Sequence, residues 1–203
     1  MNVMGIVKNI IFDLGGVLYT LDYDSLWEGF SRKCGNDVAH IRNAIHESGL
    51  YSYECGEISS EEFFLNLRCR LGCSMSFPEF RYLWNRPLVR REEMFHFAGS
   101  MKLHAEIFVL SNTNEINAEV LDTDLKSLTP KVMYSFRVGC MKPDLRIYTM
   151  ATEQWGILPE ESLFVDDSQQ NCEGARQAGI DAHRFIDLPA LCGFLQSRGV
   201  VVE

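Results

Sequence analysis

The residues best suited to chemistry stand at the ends of apolar runs. "IIFDLGGVLYTLD", residues 10–22, passes from an apolar stretch into Asp13 and then at once into Gly15 and Gly16. "AEIFVLS" ends on Ser111 and is followed by Asn112 and Thr113; "SLFVDD" ends on Asp166 and Asp167; Lys142 stands directly before Pro143. Brought into one crevice, these carboxylates would repel one another unless a cation lay between them, and hard oxygen ligands at an open site suit Mg²⁺. That metal and Lys142 would then supply the local positive field a phosphate needs, in a chain whose net charge is -9.

One fold must bring these positions together. The segments 6–13, 105–111, 131–136, 162–167 and 181–185 are short apolar runs of the kind covered on both faces of a parallel sheet. Helical patterns alternate with the later ones. One starts at Asn114, one follows Pro143 through "DLRIYTMATEQWG", one is capped by Ser168 and closed by Gly179, and one begins at Asp187. Strand and helix in series predict right-handed crossovers and an α/β fold, a doubly wound parallel-sheet, Rossmann-like core. Ligands of such sheets sit beyond the carboxyl ends of the strands, where all the residues above fall.

Between the first and second strands lie roughly ninety residues, far more than a crossover needs. "DVAHIRNAIHESG" (37–49) gathers Val38, Ile41 and Ile45 on one face. "SSEEFFLNLRCRLG" (59–72) opens with a Ser59/Glu62 capping box and stops at Gly72, and "SFPEFRYLW" repeats the device with Ser76 and Glu79. With a further helix over 25–33, a four-helix cap subdomain spans 21–88, inserted into a core made of residues 1–20 and 89–203.

Composition sets the outer bounds. A chain of 203 residues with 46% hydrophobic and 23% charged residues builds one core plus a modest subdomain. Without a Lys/Arg cluster it lacks the field for nucleic acid. No run is long enough for a secretory h-region or a membrane span, so the expected setting is cytoplasmic. Seven cysteines without a C-x-x-C pair suit reduced thiols, and Cys69 and Cys73 read as buried or half-buried thiols rather than as metal ligands. The five histidines share no ligand spacing. Tyr148 and the three tryptophans read as packing residues, and Asn171 suits the Ser168 helix as well as the site.

"FDLGGVL", "VLSNTN", "MKPDLRIY" and "LFVDDSQQN", in that order and with a helical insertion after the first, resemble the haloacid dehalogenase-like (HAD) superfamily. The resemblance looks closest to its helical-capped sugar-phosphate phosphatases, and particularly to the α-glucose-1-phosphate phosphatase-like branch, where "ECGEISSEEF" also resembles a cap segment. It implies that Asp13 is a nucleophile that becomes an aspartyl phosphate, and that Ser111 and Asn112 hold the transferring phosphoryl group. Thr113, Gly15 and Gly16 would border the substrate, and Lys142 would neutralise charge. Asp13, the Gly15 carbonyl, Asp166 and Asp167 would serve Mg²⁺. The implied partner is a small phosphorylated metabolite.

Gly15 departs from that pattern. Most phosphatases of the superfamily carry there a second aspartate that protonates the leaving oxygen, a role typically worth 10²–10⁴-fold in rate. Either the leaving group is a good one, as in an anomeric sugar phosphate, or a cap acid such as Asp22, Asp24 or Glu57 replaces the missing one. Two other readings follow from the same glycine: a 2-haloacid dehalogenase, which also lacks the second acid, and a non-catalytic module that binds a phosphometabolite or a protein.

Overall fold

The computed structural model describes residues 7–202. Its elements run β1 (Asn9–Phe12), β2 (Tyr19–Leu21), α1 (Tyr23–Cys34), α2 (Val38–Glu47), α3 (Leu50–Glu54), α4 (Ser60–Leu71), α5 (Phe77–Asn85) and β3 (Leu88–Arg90). They continue with α6 (Glu92–Met101), β4 (Glu106–Ser111), α7 (Glu115–Leu125), β5 (Val132–Tyr134), α8 (Ser135–Val138) and α9 (Leu145–Trp155). A 3₁₀ turn (Pro159–Glu161), β6 (Ser162–Asp166), α10 (Gln169–Gln177), β7 (Asp181–Arg184) and α11 (Leu188–Ser197) complete the chain.

The parallel sheet has the order β5-β4-β1-β6-β7. Its doubly wound character is written in alternate side chains. Ile10, Phe12, Ile107, Val109, Leu163 and Val165 enter one apolar cluster, with Met94 of α6, Leu121 of α7 and Leu191 of α11. Ile11, Phe108, Leu110 and Phe164 enter the other, with Ile147 of α9 and Ala175 of α10. A strand buried on both faces has no polar side to show, which is why its sequence reads as a continuous apolar run. Phe12 is in register with both Val109 and Val165, so Asp13 leaves the sheet level with Leu110 and Asp166. Ile6, where the sequence starts the first strand, lies outside the described residues.

Helices α1 to α5 close a separate apolar cluster around Phe30, Phe63, Phe80 and Trp84. The sequence pattern predicted four helices here; the structure adds α3, one short turn ahead of Gly56. Also absent from the sequence reading is the antiparallel ribbon of β2 and β3, paired Tyr19 with Arg90 through Leu21 with Leu88, where the chain leaves the sheet and returns to it. Helices α5 and α7 pack together, with Trp84 Nε1 donating to Asn114 Oδ1 at 3.2 Å and Asn117 Nδ2 donating to Asn85 Oδ1 at 2.8 Å.

The expectation of seven reduced thiols fails at one pair. Cys34, at the end of α1, and Cys73, just past α4, are joined by a disulfide across a Cα separation of 5.1 Å. Packing of α1 and α4 into one cluster brings together residues that spacing alone does not pair; Cys69 is free and exposed. Among the described residues, no helix is long and apolar enough to cross a membrane.

Candidate active site

The carboxyl ends of β1, β4 and β6 deliver their polar residues to one place. Lys142 Nζ lies 2.7 Å from Asp13 Oδ1 and 2.7 Å from Asp166 Oδ2, and donates to the Leu110 carbonyl at 3.0 Å. Its side chain is 1% exposed, so the ammonium is held entirely by these oxygens. Asp166 is fixed in turn: Oδ1 accepts the Ser168 N–H at 2.8 Å, and Asn171 Nδ2 lies 3.1 Å from Oδ1 and 3.0 Å from Oδ2. Tyr148, fully buried, donates its hydroxyl to the Asn171 carbonyl at 2.7 Å. Asn171 therefore serves both readings it had in the sequence, its backbone N–H closing the Ser168 cap of α10 and its side-chain amide orienting Asp166, while Tyr148 packs and steadies Asn171.

Asn112 bonds to the backbone of Lys142 on both sides, accepting its N–H at 2.8 Å and donating to its carbonyl at 2.9 Å. Ser111 is buried at the end of β4. Thr113 donates its backbone N–H to Ser135 Oγ at 3.0 Å. Gly16 donates its N–H to the Tyr19 carbonyl, and its own carbonyl accepts from Arg91 Nη1 at 3.2 Å. With φ at +74°, Gly16 also lies so near Asp167 that any Cβ there would overlap the carboxylate. Its backbone conformation and missing side chain are what let Asp167 stand beside Asp13.

Asp13, Asp166 and Asp167 each place a carboxylate oxygen within 4.8 Å of the others. Burial raises the Asp13 carboxyl, Lys142 lowers it and Asp166 raises it again, leaving it well above the ordinary carboxylate range. Asp167 is raised too, by burial and then by Asp166. For Lys142, burial works against the charge, and Asp13 with Asp166 more than offsets it, holding the ammonium charged. Three carboxylates, Asp13 and Asp166 buried and Asp167 exposed, stand against one ammonium and leave excess negative charge at the mouth of the site. An all-oxygen donor set of this kind fits a hard divalent cation such as Mg²⁺, which Asp13, Asp166 and Asp167 would hold.

Beside this cluster opens a cavity of about 210 Å³ between the sheet ends and helices α1 to α5. Its core wall is Leu14, Gly15 and Ser111 to Asn114; its far wall includes Leu21, Tyr23, Trp27, Trp84 and Glu54. Leu14 and Gly15, the residues that follow Asp13, join the cavity to the charged cluster. The acids suggested by the sequence do not line it. Asp22 is exposed and caps α1, accepting the Ser25 N–H at 3.2 Å; Asp24 and Glu57 are exposed. Sequence reasoning missed Glu54, whose neighbour Gly56 was its one signal: at φ +71° a Cβ on Gly56 would strike the Phe136 carbonyl, so this turn is pressed onto the core.

A family model for haloacid dehalogenase-like hydrolases matches residues 7–179. The chain belongs to the haloacid dehalogenase-like hydrolases. Within that family it is 26% identical over 190 residues to a D-ribitol-5-phosphate phosphatase of Bacteroides thetaiotaomicron, covering 86% of this chain and 90% of that one. A HAD family enzyme of the same organism, solved in complex with magnesium and inorganic phosphate, superposes with a TM-score of 0.80 at 28% identity, over 92% of this chain and 99% of the other. An L-2-haloacid dehalogenase of Xanthobacter autotrophicus, with chloropropionic acid covalently bound, aligns with a TM-score of 0.66 at 19% identity over 97% and 85%. That last likeness is one of fold. The expected α/β core is thus the HAD fold.

Proposed function

We propose that this hydrolase is a Mg²⁺-dependent phosphatase of a small phosphomonoester of the sugar or sugar-alcohol class, working through an aspartyl phosphate on Asp13. The observation that carries the reading is Lys142, bound at 2.7 Å to both Asp13 and Asp166 within a cluster that Asp167 completes. Phosphoryl transfer needs positioning and charge neutralisation more than covalent help from the protein, and this cluster offers both. Relatives that act on a sugar-alcohol phosphate and bind magnesium with phosphate support it.

Asp13 attacks phosphorus, a bond from its carboxylate oxygen forms, and the bond from phosphorus to the leaving oxygen breaks. Lys142 neutralises Asp13 and the arriving phosphoryl oxygens. The second amide N–H of Asn112, whose first goes to the Lys142 carbonyl, is a donor left for those oxygens, and the Ser111 hydroxyl, which donates to the Asn112 carbonyl at 3.3 Å, serves them by turning away from it. Bound Mg²⁺, with Asp13, the Gly15 carbonyl, Asp166 and Asp167 as its ligands, would supply further neutralisation of the phosphoryl charge. Water then breaks the acyl phosphate and frees Asp13. We place the division between a core of residues 1–20 and 89–203 and a cap of 21–88, with the β2–β3 ribbon at the crossing and the cavity between them for the organic part of the substrate.

Gly15 kept a dehalogenase reading open, but a cluster of three carboxylates around one ammonium favours a cation and an anionic substrate. The test is phosphate release from a panel of sugar and sugar-alcohol phosphates, glucose 1-phosphate and glucose 6-phosphate among them, with Mg²⁺ and with chelator and with Asp13→Asn as blank. Metal-dependent release by the wild type alone is expected. Silence across the panel, or equal release by the blank, would overturn the reading.

A further inference from the structure

Gly15 leaves the chain without a carboxylate where most HAD phosphatases hold their proton donor, and its surroundings sharpen the problem. Gly15 lines the cavity, and a Cβ built on it would come within 3.1 Å of Leu21 Cδ1, another lining residue. An apolar side chain thus faces the spot from which an acid would act.

Among the residues described as lining that cavity, one is a carboxylic acid: Glu54, at the end of α3. Its backbone is tied to the core, with Ser135 Oγ 2.6 Å from the Glu54 carbonyl and 3.1 Å from the Thr113 carbonyl. The same hydroxyl accepts from the Thr113 N–H, so one serine fastens the Glu54 turn to the Ser111–Asn114 loop. Contact of Gly56 with Phe136 presses the turn down from its other side. The Glu54 side chain itself has no hydrogen-bond or ion-pair partner among the described residues, although it is half-buried. An unpaired carboxyl in such a place is costly to keep charged. A carboxyl so placed is available to move a proton or to bind a hydroxyl.

We propose that Glu54 gives the leaving oxygen its proton, taking the place of the carboxylate missing at Gly15. The inference rests on the phosphatase reading above. As Asp13 bonds to phosphorus and the bond to the leaving oxygen breaks, the Glu54 carboxyl proton passes to that oxygen, which departs as an alcohol. In the second step the Glu54 carboxylate takes a proton from the water that attacks the aspartyl phosphate; phosphate leaves, Asp13 is free, and Glu54 is protonated again. Burial alone pushes the Glu54 carboxyl up to about 7, where an acid that must also act as a base works best near neutral pH. Tyr23 of α1 and the adjoining Cys55 are the titratable groups that feel its charge, and no charged side chain of the neighbouring α2, α4 or α8 contributes to its shift. Tyr23 feels both Glu54 and Asp167, which sets the cap acid and the charged cluster within electrostatic reach of one phenol. A protein with this donor handles a poor leaving group, so primary alkyl phosphates belong to its substrate class beside anomeric ones.

The test measures Glu54→Gln against wild type on the primary alkyl phosphate that the wild type turns over fastest and on 2,4-dinitrophenyl phosphate, whose leaving group needs no proton. Loss of about 100-fold or more in kcat/KM on the alkyl ester is expected, with less than about threefold in kcat/KM on the aryl ester, because kcat/KM reports the first transfer alone while kcat on both esters also carries the shared second step. Retained aryl turnover also shows that the variant is folded. Equal effects on both esters, a change in KM alone, or wild-type turnover confined to the aryl ester would overturn Glu54 as the donor and leave the phosphatase reading standing. No metal-dependent turnover of any ester by the wild type would overturn both.

Discussion

Asn112 and Lys142 are bound to each other twice, side-chain amide to backbone, at 2.8 Å and 2.9 Å. This pair fixes the backbone from which Lys142 reaches two buried carboxylates, so the reach of the ammonium depends on an amide on a different strand end. Asn112→Ala leaves a buried N–H and carbonyl without partners, a change worth about 1–3 kcal/mol of stability. It should also let the lysine drift, lowering kcat by about 10- to 100-fold. A steady-state assay with a denaturant curve checks both; a variant that is destabilised yet turns over normally would show that Lys142 is placed by its carboxylates alone.

The charge imbalance of the cluster makes stability depend on metal. Mg²⁺ that binds the folded state alone raises stability with its concentration, by about 2.7 kcal/mol at one hundred times its Kd. Wild-type protein is therefore expected to melt higher in Mg²⁺ than in chelator. Asp167→Asn should reduce that rise, since it removes one of the grouped carboxylates. Thermal melts across a Mg²⁺ series measure it, and an unshifted wild type would remove Mg²⁺ from this site.

Gly16 should tolerate no side chain. Alanine at φ +74° carries conformational strain of about 1 kcal/mol, and its Cβ must also displace the Asp167 carboxylate. Gly16→Ala is expected to lower the melting temperature in chelator and, separately, to weaken the response to Mg²⁺. If the metal response survives intact, Asp167 has moved without loss and does not hold the ion.

Much of this architecture was legible because its signals are long. Strands β4 and β6 are buried on both faces, so apolar content marks them, and Asp13, Ser111 and Asp166 follow as the first polar residues past each run. Elements β2, β3 and α3 are three to five residues long, too short for either period to register. Glu54 was invisible for a related reason. In "YSYECGEIS" it looks no different from Glu57, and only the seating of Gly56 on Phe136 decides which of the two faces the cavity. The Cys34–Cys73 bond likewise depends on how α1 and α4 pack, which spacing does not encode.

Glu54 also makes a prediction about stability that is independent of turnover. Its carboxyl rises from 4.5 to about 7 in the folded protein through burial, so between those values the folded state keeps a proton that the unfolded chain releases. Stability must therefore fall as pH rises through that window, with the penalty absent below pH 4.5 and complete above about 7. Glutamine removes the ionisation while keeping the shape. Glu54→Gln should match wild type near pH 4.5 and exceed it by about 1–2 kcal/mol at pH 8, a gap kept below the full linkage value because the side chain is partly hydrated. Asp13 is common to both proteins and cancels from the difference. Denaturation at the two pH values, in chelator throughout, measures the gap. Equal stability at pH 8 would mean that the Glu54 carboxylate finds water or a cation in the cavity, and the donor role would lose its physical basis.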